Sequence, residues 1–223
     1  VHGTGSGLWA CGKVLSRYLA ERPDICQGAV CLELGSGTGA VGLTAAALGA
    51  KVAVLTDLDK QLPLLRRNIE ANGHGNGASG RVRAIALDWR KPEQRATLAE
   101  WAQRWTLVLG SDIGYDPDLF EPLLATLESQ CSPEATVLLA LADRQEEGEP
   151  RVEDFVSFAR RSFDCRQVLE RQLEPMQSVS KVLLMRRRCK RRADEADVEK
   201  DDAAVDSRGG AARRRSASGS DGG

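Results

Sequence analysis

"LELGSGTGAVGL" (Leu32–Leu43) decides the fold. An apolar run over residues 29–34 leads into Gly35, Gly37 and Gly39, and a helical pattern follows over 38–49. Glycines let the backbone turn tightly and approach a ligand without a Cβ in the way. The helix behind them opens on free N–H groups. Strand, glycine loop and helix in that order open an α/β sheet that carries a ligand at its first crossover.

Working outward, apolar runs rich in β-branched residues alternate with helical patterns along most of the chain, which predicts a parallel sheet. The strands are expected at 29–34, 51–56, 82–87, 105–111, 135–142, 165–170 and 180–186, and the helices near 7–20, 38–49, 59–71, 93–103, 117–129 and 150–162. No helical pattern separates the last two strands, so they are expected to pair antiparallel through a turn at 171–179. The fold class is therefore α/β: a Rossmann-like, seven-stranded, mostly parallel sheet with a C-terminal antiparallel hairpin and helices on both faces. "NGHGNGASG" (72–80) reads as a loop whose first glycine, Gly73, caps the preceding helix.

Residues 1–188 are expected to form one domain and residues 189–223 a disordered charged tail. That tail is rich in charge, Gly and Ser and nearly free of large apolar residues, so burial cannot offset its ordering entropy. Through Met185 there are 20 Lys/Arg against 24 Asp/Glu, while the last 38 residues hold 11 against 8. An acidic body argues against binding along a phosphate backbone, and no nucleic-acid partner is expected. The six cysteines (11, 26, 31, 131, 165 and 189) make no CxxC pair and, with only His2 and His74 beside them, no metal-ligand spacing. No metal is expected, and scattered thiols of this kind point to a reducing compartment. No apolar stretch is long enough for a membrane span. The expectation is a cytoplasmic monomer; "RRRCKRR" (186–192) would add the nucleus if it is a localisation patch rather than a solvated strand end.

The ligand follows from the loop and its neighbours. Gly35, Gly37 and Ala40 satisfy the loose G-x-G-x-x-A pattern, and Asp57 ends the second strand where an acid binds ribose hydroxyls in either a dinucleotide or an adenosyl ligand. Glu33 favours the second. A carboxylate there would repel a pyrophosphate but suit the sulfonium and ammonium of S-adenosylmethionine. Its competing reading is a side chain satisfied by local backbone. A dehydrogenase is further disfavoured because the chain has no room for a second catalytic domain.

The second unusual stretch is "VLGSDIGYDP" (Val108–Pro117), where an apolar strand surfaces into a carboxylate, Asp112, and a phenol, Tyr115. Asp, Gly and Pro are also ordinary turn residues. In a doubly wound sheet, however, strands one and four are neighbours at the switch point, so this stretch and the glycine loop are expected to emerge side by side.

With these residues in view, "GLWACGKVLSRYL" (7–19), "CLELGSGTGAVGLTAAALGAKVAVLTDLD" (31–59), "ALDW" (86–89) and "SDIGYDPDLFEPLLATLE" (111–128) resemble the seven-β-strand methyltransferases of family 16. The branch most resembled is the protein-lysine methyltransferases that act on chaperones and the valosin-containing ATPase. The similarity runs from about Gly5 to Arg188. It implies S-adenosylmethionine as cofactor and methylation of a non-histone protein lysine, with a chaperone or ATPase as substrate. By the same resemblance Trp9 contacts the cofactor, Gly35, Ser36 and Gly37 hold its methionine part, and Asp57 takes the ribose hydroxyls. Trp89 lies by the adenine, Ser111 contributes backbone, and Asp112 and Tyr115 are the catalytic pair. Core packing is the competing reading for both Trp9 and Trp89, and Trp101 and Trp105 are expected in the core or on a helix surface.

Two positions depart from the pattern. Gly114 stands where many relatives carry a β-branched residue, and Ser111 often corresponds to alanine. Two other functions fit a chain of this class. A nucleic-acid or small-molecule methyltransferase is one, although amino-methylating nucleic-acid enzymes commonly show Asn/Asp-Pro-Pro-aromatic here. A non-catalytic module that keeps the fold is the other.

Overall fold

The computed structural model describes residues 7–75, 80–101, 103–143, 151–173 and 178–188. The expected tail, most of the basic run at 186–192, and parts of the loop at 72–80 and the turn at 171–179 lie outside the described residues.

Seven strands build one sheet: β1 (Val30–Leu34), β2 (Val52–Asp57), β3 (Val82–Ala86), β4 (Leu107–Ser111), β5 (Thr136–Asp143), β6 (Phe163–Leu173) and β7 (Ser178–Arg187). Their spatial order is β3-β2-β1-β4-β5-β7-β6. The first five run parallel, with β1 between β2 and β4 in the registers Leu34↔Thr56 and Leu34↔Gly110. β7 inserts antiparallel between β5 and β6, so the closing hairpin forms as expected and leaves β6 at the edge. β6 carries exposed Arg166, Gln167, Glu170, Arg171 and Gln172 there. Charge along an open edge discourages pairing with another chain.

Period-two alternation sends side chains to both faces, and both faces are covered. On one, Cys31, Ala53, Leu55, Leu109 and Ala140 meet Leu15, Val41, Ala45 and Leu65. Those last four come from α1 (Ala10–Ala20), α2 (Ala40–Ala47) and α3 (Leu62–Ala71). On the other face, Leu32, Leu34, Val108, Leu139 and Met185 meet Leu123, Leu127, Phe155 and Ala159.

The helix expected at 93–103 does not form. A single turn, α4 (Pro92–Arg95), passes into a 3-10 turn over Ala96–Leu98. The chain instead turns to seat Trp105 in the core. Trp105 is 1% exposed, stacks on half-buried Trp101 at 5.6 Å and donates Nε1–H to Gln130 Oε1 at 3.2 Å. Gln103 takes a left-handed φ of 62° between them. The other helices each start two or three residues later than expected, and in two of them the cause is local. Gly39 caps α2 at φ 80°, and a 3-10 turn over Pro117–Leu119 precedes α5 (Phe120–Gln130). α6 (Val152–Ala159) completes the set. Gly73 follows α3 at φ 78° and donates its N–H to Glu70 O at 2.9 Å, the C-terminal cap expected of it.

Candidate active site

The crevice of this topology lies beyond the carboxyl ends of β1 and β4, where the chain order reverses. After Leu34 the glycine loop leaves β1 with Gly35 at φ 62° and Gly37 at φ 54°. Ser36 N–H donates to Thr56 O at 2.9 Å and Gly39 N–H to Ser36 O at 2.7 Å. Gly37 N–H donates to Asp57 Oδ2 at 2.6 Å, and Leu58 N–H to Asp57 Oδ1 at 2.7 Å. A carboxylate offers about four acceptor sites. Asp57 therefore holds the loop and keeps lone pairs for a ligand. Burial pushes its carboxyl above the usual range, and the two backbone donors oppose that rise.

Across the crevice, Asp112 follows β4 at φ 55°, with its N–H on Ala140 O at 2.8 Å. A positive φ is uncommon for any residue with a side chain, and Asp and Asn bear it best. Such backbone concentrates where function constrains it. Ile113 turns inward, Gly114 packs against Leu141 and Phe155, and Tyr115 stands 38% exposed. Asp116 closes the segment by accepting Asp118 N–H at 3.0 Å on Oδ1.

One cavity of ≈ 590 Å³ joins these pieces. Trp9, Gly35, Ser36, Gly37 and Asp57 line it, and so do Trp89, Ser111, Asp112 and Tyr115. The structure thus brings all nine expected site residues together. Trp9 is 44% exposed at the mouth, which excludes the core reading for it. Trp89 does both, lining the cavity and packing on the core face beneath. The volume is of the size that takes a small organic ligand.

A family model described as lysine methyltransferase matches residues 1–157. The chain belongs to that family. It is 32% identical over 146 residues to EEF1A lysine methyltransferase 3 of Xenopus tropicalis, covering 66% of this chain and 61% of that one. It is 34% identical over 166 residues to protein N-lysine methyltransferase METTL21A of Mus musculus, covering 74% and 72%. The chain thus spans about three fifths to three quarters of these relatives' lengths. The ribosomal protein L11 methylase of Lactobacillus delbrueckii subsp. bulgaricus shares the fold at TM-score 0.56 and 17% identity, covering 82% and 81%. The magnesium protoporphyrin IX methyltransferase of Synechocystis, solved with bound SAM, does so at 0.56 and 15%, covering 79% and 78%.

Within this member of the lysine methyltransferase family, one inference from sequence fails. Glu33 does not face the crevice. Alternation along β1 sends it under α2, where it is 1% exposed and its Oε2 accepts Gly42 N–H at 3.0 Å. Burial pushes its carboxyl up to about 8. It therefore does not face a ligand in the cavity, and the choice of ligand rests on the other residues. The competing reading, a side chain held by local backbone, is the nearer one, although only Oε2 is bonded and the buried Oε1 has no hydrogen-bond partner among the described residues.

The sequence reading also missed lining residues. Asp88 lies just beyond β3 as Asp57 lies at the end of β2, and Arg90 clamps it with two bonds of 2.9 Å that hold its carboxyl below the usual range. Lys60 and Gln61 line the cavity as well, and Gly12 reaches it from α1. The available signal was the recurrence of an acid at the carboxyl end of strand after strand. Among the described residues no group of three or more His, Cys, Asp or Glu could hold a metal, and no helix is long and apolar enough to cross a membrane.

Proposed function

We propose that this chain transfers a methyl group from S-adenosylmethionine to a lysine side chain of a non-histone protein. One observation carries the reading: the glycine loop with its acid Asp57, and the Asp112–Tyr115 stretch, line one cavity at the sheet's switch point. The residues fit the cofactor. Gly35, Ser36 and Gly37 would hold its methionine part, Asp57 the ribose hydroxyls, and Trp89 the adenine, with Trp9 and Ser111 completing the wall. Bound there, the cofactor supplies an electrophilic methyl on a positively charged sulfur.

The remaining work falls to the protein. A lysine amine has a reference pKa near 10.4, so it arrives protonated and must lose a proton before its lone pair can act. Asp112 accepts a hydrogen bond from that amine, orients it and passes its proton to water. Tyr115 walls the channel and positions the nitrogen. Holding two reactants in line accounts for most of the acceleration such a site supplies.

The substrate proposed is a chaperone or an ATPase of the valosin-containing kind, from the resemblance of the motifs; the name of the Xenopus relative adds EEF1A to the acceptors to be tried. We further propose a monomer whose methyltransferase domain spans residues 1–188, acting in the cytoplasm, with the nucleus added only if the basic run at 186–192 is a localisation patch. Incubation with radiolabelled cofactor and a lysate of cells lacking the protein tests the reaction. Label is expected in protein lysine and is expected to vanish with Asp112→Asn. Label found only in nucleic acid, or no cofactor binding by calorimetry, would overturn the reading.

A further inference from the structure

Ile113 is the one residue between Asp112 and Tyr115 that is buried, at 4% exposure. Because Asp112 turns the chain at φ 55°, the side chain that follows folds back over the end of β4. There it fills a notch cut by two glycines of different strand ends. A Cβ on Gly110 would stand 2.5 Å from Ile113 Cδ1, and a Cβ on Gly35 would stand 2.7 Å from Ile113 Cγ2. Real Cβ atoms do not approach so closely, so a side chain at either position would require Ile113 to shift from its seat. Trp89 closes the same notch, with Cζ2 at 3.4 Å from the Gly35 position.

We infer that Ile113 is a positioning residue, a latch that holds Asp112 in its left-handed turn and sets the acceptor side of the cavity against the cofactor loop. The role in catalysis rests on the function proposed above; the latch itself does not. Three physical facts favour it. A β-branched side chain is stiff about χ1, so it transmits a fixed direction to its own backbone. Close-packed interiors move as discrete arrangements rather than by yielding. And each contact comes from a different strand end, Gly35 from β1 and Gly110 from β4, so a single side chain ties the two loops that must act together.

The contacts define a test by suppression. Gly110→Ala places a methyl against Ile113 Cδ1 and should unseat the latch. Ile113→Val lacks Cδ1 but keeps the branch that meets Gly35. The double variant should therefore restore what Gly110→Ala breaks, leaving only Leu139 Cδ2, at 3.0 Å, to shift slightly. Amide hydrogen exchange of the ligand-free protein over residues 111–115 reads the latch directly. Gly110→Ala and Ile113→Ala are expected to speed exchange there by ~10-fold or more while peptides of β1 and β5 stay within ~2-fold. Ile113→Val and the double variant are expected within ~3-fold of the parent. Wild-type exchange in Gly110→Ala, or a double variant no better than it, would overturn the latch. In the methyl-transfer assay the unlatched variants should lose ~10-fold in rate while their S-adenosylmethionine affinity by calorimetry stays within ~3-fold. Unchanged rates would overturn the positioning role. Should the parent protein transfer no methyl, the proposed function falls and the exchange experiment still decides the latch.

Discussion

Gly37 and Asp57 meet through a 2.6 Å hydrogen bond from the backbone N–H of one to the carboxylate of the other. Twenty residues apart in sequence, they tie the loop after β1 to the acid that ends β2, so the acid positions the loop as well as facing the cavity. Asp57→Ala should therefore act twice. It leaves the N–H groups of Gly37 and Leu58 without their acceptor, at a cost of about 1–3 kcal/mol in urea unfolding. It should also weaken S-adenosylmethionine binding by ~10–100-fold, because a hydrogen bond to a charged group is lost. Calorimetry showing parental affinity would remove Asp57 from the cofactor site.

Asp112 tests charge separately from conformation. Asn has the same shape and tolerates φ 55° nearly as well as Asp, so Asp112→Asn should melt within about 0.5 kcal/mol of the parent. It should nonetheless lose ~100-fold or more in methyl transfer, the scale of a lost proton acceptor. Asp112→Ala should add about 1 kcal/mol of backbone strain to the same catalytic loss. Rates and melting curves of the pair together make the check.

Glu33 makes stability depend on pH in a defined direction. Its folded-state carboxyl is raised from 4.5 to about 8, so between those limits the folded protein binds a proton the unfolded chain releases. Stability from this group is full below pH 4.5 and is lost as pH rises toward 8, with a limiting slope of about 1.4 kcal/mol per pH unit. Glu33→Gln keeps an acceptor for Gly42 N–H and cannot ionise. Urea midpoints across this range should fall for the parent and fall less for the variant; parallel curves would refute the assignment.

Gly114 is the departure from the family pattern that the structure explains. A Cβ there would stand 3.2 Å from Leu141 Cδ1 and 3.6 Å from Phe155 Cγ, tight but able to yield. Gly114→Ala should cost under about 1 kcal/mol, whereas Gly114→Val should cost about 1–3 kcal/mol by overpacking, measured by thermal unfolding. Equal effects from both would show that this neighbourhood is looser than its packing.

Much of the site was legible because its residues sit at strand ends, and strand ends are marked by where an apolar run stops. Gly35, Asp57 and Asp112 are each the first residues after such a run or its last member, and the order of strands brings those ends together. Where reading failed, period or partner was the cause. The helix expected at 93–103 lost to Trp105, whose large apolar surface is worth more buried in the core beside Trp101 and Gln130 than a solvated helix is worth intact. Glu33 was read by its neighbours in sequence, but the pleat sends it beneath α2, away from the loop that follows it.

The sequence by itself determined the α/β class, the switch point and nine of the residues that line the cavity there. Local propensity, glycine spacing and alternation are properties of neighbours along the chain. Only the tertiary structure decided that Glu33 lies buried beneath α2 with its carboxyl raised, that Asp88 and Arg90 belong to the cavity, and that Ile113 lodges between Gly35 and Gly110. Each of those depends on which atoms from distant segments come within van der Waals reach, and a one-dimensional pattern does not contain that distance.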